Sequence, residues 1–128
     1  MAIDNLSFVI AADFPKEMAQ FYSSLTKGEL RIGFTNQDFN VLLPNGSKIY
    51  IYKPSSKKQF PKRGNVMSLC LNSEANDNPL EYLTKWINKL VKCGASVSVR
   101  PKLEDFGAES WMKDPEGNSF LVFVPFKM

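Results

Sequence analysis

The sequence predicts an α+β domain made of two βαβββ modules forming a curled mixed sheet, and three features predict it. The order strand, helix, three strands occurs twice along 128 residues. The opening strands of the two halves share a pattern, Leu6-Ser7-Phe8-Val9-Ile10 and Met67-Ser68-Leu69-Cys70-Leu71. Each half also ends in a Pro-x-Gly turn followed by a last strand.

The first helix is expected after Asp13, its candidate cap, with Pro15 in the opening turn. Met18, Phe21, Tyr22 and Leu25 then recur on one helical face until Gly28. The second helix follows Pro79, with a stripe of Leu80, Leu83, Trp86, Ile87, Leu90 and Val91 stopped at Gly94. Around these lie short strands at about 6–10, 30–34, 39–43 and 48–52, then 66–71, 96–100, 109–113 and 120–124. The turns Leu43-Pro44-Asn45-Gly46-Ser47 and Asp114-Pro115-Glu116-Gly117-Asn118 correspond. Proline presets one dihedral of such a turn and glycine accepts a positive φ. The second half is longer, and the excess is expected as a loop around Pro101–Ala108.

Length and composition fit a single domain, residues 1–128, with modules of about 1–53 and 65–128 joined by a basic linker, 54–64. Apolar residues make up 44% and charged residues 23%, ordinary for a globular protein and not for a disordered one. No apolar run is long enough to span a membrane, and no signal-like start is visible, so a cytoplasmic protein without membrane partners is expected. Cys70 and Cys93 are then read as reduced thiols. The net charge is only +3, with five basic residues between Lys53 and Arg63 and no acidic one. Prolines, serines and Gly64 in that stretch read as a solvated linker. Single-strand binders interleave aromatics, and only Phe60 is present, so no nucleic-acid partner is expected.

Alternation along the strands divides each sheet into an aliphatic face and a mixed one. Leu6, Phe8, Ile10, Ile49, Ile51, Met67, Leu69, Leu71, Phe120, Val122 and Val124 form the aliphatic set, suited to packing on helices. The mixed set holds hydroxyls, an amide, a thiol, Tyr50, Tyr52, Leu121 and Phe123. So many large apolar groups on one face imply a cavity or an interface rather than open solvent. Tyr50 and Tyr52 are candidates to hydrogen-bond and stack on a flat ligand, and Trp111 to wall the cavity. Lys48 and Arg100 share the mixed parity but read as solvated strand ends. Cys70 has no imidazole to activate it, the chain having no histidine, and is expected as a small buried residue. Cys93, at a helix C-terminus, reads as structural. Of the carboxylates Glu104, Asp105, Glu109, Asp114 and Glu116, Asp114 is expected to close its own turn, and only Glu109 opens a strand. No pair is placed for acid–base catalysis.

The opening Ile3-Asp4-Asn5-Leu6-Ser7-Phe8-Val9, Phe21-Tyr22 late in the first helix, and Asp114-Pro115-Glu116-Gly117-Asn118 resemble the vicinal oxygen chelate superfamily. That superfamily includes glyoxalase I, extradiol dioxygenases and the fosfomycin- and bleomycin-resistance proteins. The resemblance covers nearly the whole chain and implies a sheet curled into a ligand-holding cup, commonly in a homodimer. It also implies where a metal would be held: Asn5, Tyr50, Val66 (or Asn65) and Leu121 occupy the positions of its ligands. Valine and leucine offer no lone pair, and an amide and a neutral phenol are poor substitutes, so no metal and no other cofactor is expected. The reading is a metal-independent, bleomycin-resistance-like protein that binds or sequesters a small molecule. Its cup would be lined by Asn5, Ser7, Tyr50, Tyr52, Ser68, Cys70, Trp111 and Phe123. The alternatives are a diverged glyoxalase- or dioxygenase-like enzyme and a non-catalytic interaction subunit.

Overall fold

The computed structural model describes residues 6–56 and 67–128. They form two compact units, one on each side of the intervening segment. Asn5, Asn65, Val66 and most of the basic linker lie outside the described residues.

The first module runs β1 (Ser7–Ala11), α1 (Pro15–Thr26), β2 (Glu29–Ile32), β3 (Asp38–Leu42) and β4 (Lys48–Tyr52). The second runs β5 (Leu69–Asn72), α2 (Pro79–Lys92), β6 (Ser96–Glu104), β7 (Gly107–Lys113) and β8 (Ser119–Pro125). Each module makes its own four-stranded mixed sheet, ordered β1-β4-β3-β2 and β5-β8-β7-β6. The first strand of each pairs parallel with the last, and the remaining pairs are antiparallel. Identical order in two successive modules is what the repeated sequence pattern predicts.

The closing turns repeat bond for bond. Leu43 N–H donates to the Ser47 carbonyl at 2.8 Å and Gly46 N–H to the Leu43 carbonyl at 3.0 Å. Asp114 and Gly117 make the matching pair at 2.9 Å each, to Asn118 and Asp114. Gly46 and Gly117 take φ of 91° and 87°, a region that glycine enters without a Cβ penalty. Asp114 closes its own turn as expected: its carboxylate accepts from the N–H of Glu116 and from the N–H and side-chain amide of Asn118.

α1 buries its whole stripe of Met18, Phe21, Tyr22 and Leu25 against β2, β3 and β4. Its cap differs from the expectation. Phe14, not Asp13, occupies the N-cap position and makes no side-chain capping bond, the opening being set by Pro15. Lys27 takes the left-handed conformation at the other end. Gly28 is required because a Cβ there would stand 2.7 Å from the Leu42 carbonyl oxygen. α2 ends in a Schellman motif, with Gly94 N–H donating to Val91 and Ala95 N–H to Leu90. Its buried stripe is narrower than the sequence pattern: Leu83, Ile87 and Leu90 are covered, while Leu80 and Val91 are exposed.

Two expectations fail for reasons of topology. Pro101–Ala108 is no loop: β6 continues to Glu104, crosses two register shifts, and turns through Asp105-Phe106 into β7. As the edge strand, β6 tolerates a proline and charged residues that read as a strand break in sequence. The aliphatic parity of the opening strands also does not translate into burial. Leu6, Phe8 and Met67 are exposed because the helices pack mainly on the other three strands of each sheet. Ile49, Ile51, Phe120, Val122 and Val124 are buried as their alternation predicts.

Candidate functional site

The non-helix face of the first module is organised by Asp38, which the sequence reading passed over. Phe39 and Val41 are buried on the α1 side of β3, so Asp38 and Asn40 take the opposite parity. Asn40 stands opposite Tyr50 and Asp38 opposite Tyr52, placing both pairs on one face. Asp38 is only 5% exposed. Its Oδ1 accepts from the Thr35 N–H at 2.6 Å and the Thr35 hydroxyl at 2.7 Å. Oδ2 accepts from the Phe34 N–H at 2.9 Å and the Tyr50 hydroxyl at 2.7 Å. A carboxylate has about four acceptor sites, so this one is saturated. Gly33 makes the close approach possible, since a Cβ there would lie 2.5 Å from Asp38 Oδ2.

These contacts fix the protonation states. Burial by itself pushes Asp38 upward, but its hydrogen bonds from Thr35, Tyr50 and Phe34 outweigh it and hold the carboxyl far below the usual range. Tyr50 moves the other way. Burial, the bond to Asp38, the charge of that carboxylate and the neighbouring Tyr52 push the phenol up to about 12. Tyr50 therefore stays neutral with its proton aimed at Asp38, and that proton is not available to a ligand.

Aromatic rings surround the locked phenol. Tyr52 lies nearly parallel to Tyr50 at 6.1 Å, and Phe34 stands edge-on to it at 6.5 Å. Phe34 is 94% exposed, whereas Tyr52 is 6% exposed, covered rather than open to solvent. Asn40 Oδ1 is shielded from solvent and accepts no hydrogen bond. A covered acceptor without a donor costs about 1–3 kcal/mol. Ser7 lies exposed on this same face, in β1 opposite Lys48.

The second module's non-helix face is looser. Cys70, Leu121 and Trp111 lie in one row across β5, β8 and β7, and Asn72, Phe123 and Glu109 in the next. Trp111 is partly exposed, Phe123 is half-buried against Phe106 at 5.6 Å, and Ser68, just before β5, is exposed. Cys70 is exposed rather than a small core residue, because it falls on the face away from α2. Partial burial of its sulfur and the charge of Glu109 push its thiol up, so it is not an activated nucleophile. Cys93 is exposed as well.

Of the positions where the resemblance would put metal ligands, Tyr50 and Leu121 are among the described residues. Leu121 is hydrocarbon and the Tyr50 phenol is committed to Asp38, so neither fits a divalent ion. Among the described residues, no three His, Cys, Asp or Glu side chains converge into a group that could hold a metal. None of the described helices is long and apolar enough to cross a membrane. Two surface grooves, of about 200 and 380 Å³, open around the start of α2. Asn78 and Glu81 border both, Leu103 and Phe126 the larger one, and no residue named from the sequence as ligand-binding borders either.

Asp38 left a local signal in the sequence: a glycine, then Thr35, then an aspartate three residues later, the composition of a side-chain-closed turn. Its bond to Tyr50 needs the strand register, which the sequence does not print.

No curated protein sequence matches the chain significantly. Solved structures match it along nearly all its length. A glyoxalase/bleomycin resistance protein/dioxygenase family enzyme from Burkholderia phytofirmans PsJN superposes with a TM-score of 0.73 at 16% identity, covering 94% of this chain and 97% of its own. TnmS3, an antibiotic binding protein from Streptomyces sp. CB03234, gives 0.67 at 18% identity, with 98% of each chain covered. The hypothetical protein SA1046 from S. aureus gives 0.71 at 18% identity, covering 97% of this chain and 95% of its own. At these identities the likeness is one of fold. The glyoxalase-like domain model matches residues 7–123, and the chain therefore belongs to the glyoxalase-like domain family of the vicinal oxygen chelate superfamily.

Proposed function

We propose that this protein binds a small, partly aromatic or amphipathic molecule on the non-helix faces of its sheets, without using a metal. The carrying observation is the first module's face: Tyr50 held rigid by Asp38, Tyr52 parallel to it, and Phe34 exposed beside them. A pre-ordered aromatic surface loses little entropy on binding a flat molecule. Ser7 is a polar contact on that face, while on its own face the second module offers Trp111 and Phe123 as apolar area and Ser68 and Cys70 as polar or soft contacts. Asn5, also expected from sequence as a contact, lies outside the described residues. Binding rather than turnover fits the side chains there: Asp38 is saturated, Tyr50 neutral and Cys70 unactivated. TnmS3, which shares the fold, is described as an antibiotic binding protein. Two free thiols fit work in a reducing compartment such as the cytoplasm.

Native mass spectrometry of the purified protein, with elemental analysis of the same sample, tests this reading. The expected result is a metal-free dimer, as the family resemblance implies, that gains mass when a planar aromatic compound is added. Stoichiometric metal would overturn the metal-free reading and bring an enzymatic one forward.

A further inference from the structure

We infer that the ligand of the first module's face carries an N–H or O–H donor on a planar ring, and that Asn40 is the residue selecting for it. This rests on the reading of that face as a ligand site and adds the chemistry the ligand must bring. Two donor side chains stand directly across from Asn40, and each bonds elsewhere. Tyr50, directly opposite it on β4, gives its hydroxyl proton to Asp38 at 2.7 Å. Arg31, directly opposite it on β2, turns its guanidinium to Glu29 at 3.0 Å. Asn40 Oδ1 is left shielded and without a donor.

An acceptor in that condition favours a partner able to donate, because no internal hydrogen bond has to be broken to form the new one. A ligand seated on the face itself keeps bulk water from the bond once made, which strengthens it. The oxygen is covered as it stands, so the proposal requires the amide to turn toward the face, a motion the broad, soft last torsion of an asparagine allows. The rings beside it fix the rest of the ligand's character. Phe34, almost wholly exposed, and the partly exposed Tyr50 beside it offer surface to a flat molecule, with the buried Tyr52 ring packed parallel to Tyr50. A planar heteroaromatic N–H satisfies both demands, whereas its N-methylated counterpart covers the same rings and leaves the amide oxygen unpaired.

Matched probes test this on the full chain. Indole, 3-methylindole and 1-methylindole are titrated into isotope-labelled protein, reading affinity and location from amide shifts. Indole and 3-methylindole, which share the N–H, are expected to bind about tenfold more tightly than 1-methylindole, which does not. Asn40→Leu is expected to erase that difference, while Asn40→Asp, which keeps an acceptor, retains it. Equal affinity of all three probes for the wild type, with shifts on residues 34–40 and 50–52, would overturn the donor requirement and leave the binding face standing. No shift there from any probe would remove both.

Discussion

The two modules share strand order, helix placement and a closing turn with matching backbone bonds, yet their non-helix faces have gone different ways. In the first, Asp38, Thr35 and Tyr50 lock one another at 2.6–2.7 Å, with an aromatic group around them. In the second, Glu109, Cys70 and Trp111 occupy the comparable surface without such a lock among the described residues, and Cys70 makes only a long hydrogen bond of 3.7 Å to Asn72. The scaffold constrains only the face that packs on a helix, where Ile49 and Ile51 correspond to Phe120 and Val122 as fully buried residues. The opposite face is free to change chemistry without changing the fold, and the pre-organised aromatic patch on the first module is where the proposed ligand would sit.

The largest test of that contrast is stability. Asp38→Ala removes the acceptor of a buried network and should cost about 3 kcal/mol in urea unfolding, whereas Glu109→Ala should stay within about 0.5 kcal/mol. Equal losses would mean the two faces are not differently built. The next is the titration of Tyr50. One tyrosine should titrate near pH 12 by NMR, and Asp38→Asn should bring it back toward the ordinary value of about 10.

The acid limb sharpens the same point. Asp38 is held below its unfolded value, so its contribution to stability is complete above that value, near pH 4, and is lost as pH falls through the folded one. Unfolding free energy measured between pH 5 and pH 2 should therefore fall less steeply in Asp38→Asn than in the wild type. The smallest effect belongs to the second module. Cys70 should be alkylated more slowly at neutral pH than a free thiol, and Glu109→Gln should speed it by about twofold, since less of a raised thiol is ionised.

Most of the scaffold was legible because it rests on local signals. Helical stripes, alternation in Lys48–Tyr52 and the Pro-x-Gly turns all repeat within a few residues of themselves. What depended on neighbours was not. The exposure of Leu6 and Phe8 follows from where the helix lies, and the extension of β6 past Pro101 from its edge position. The candidate site divides in the same way. Tyr50 and Tyr52 stood out by parity, but Asp38 and Asn40 acquire their roles only through the pairing of β3 with β4. Tyr50, read from sequence as a donor to the ligand, has its proton committed to a residue twelve positions away.

The most direct test of the account compares two exposed phenylalanines, Phe34 on the first module and Phe106 on the second, by the affinity of each alanine variant for indole. Neither change should disturb stability by more than about 0.5 kcal/mol, so affinity is read on folded protein. The account predicts that Phe34→Ala weakens indole binding about fivefold while Phe106→Ala changes it much less. Unchanged affinity in Phe34→Ala, or a larger loss in Phe106→Ala, would contradict the assignment of ligand recognition to the first module's face.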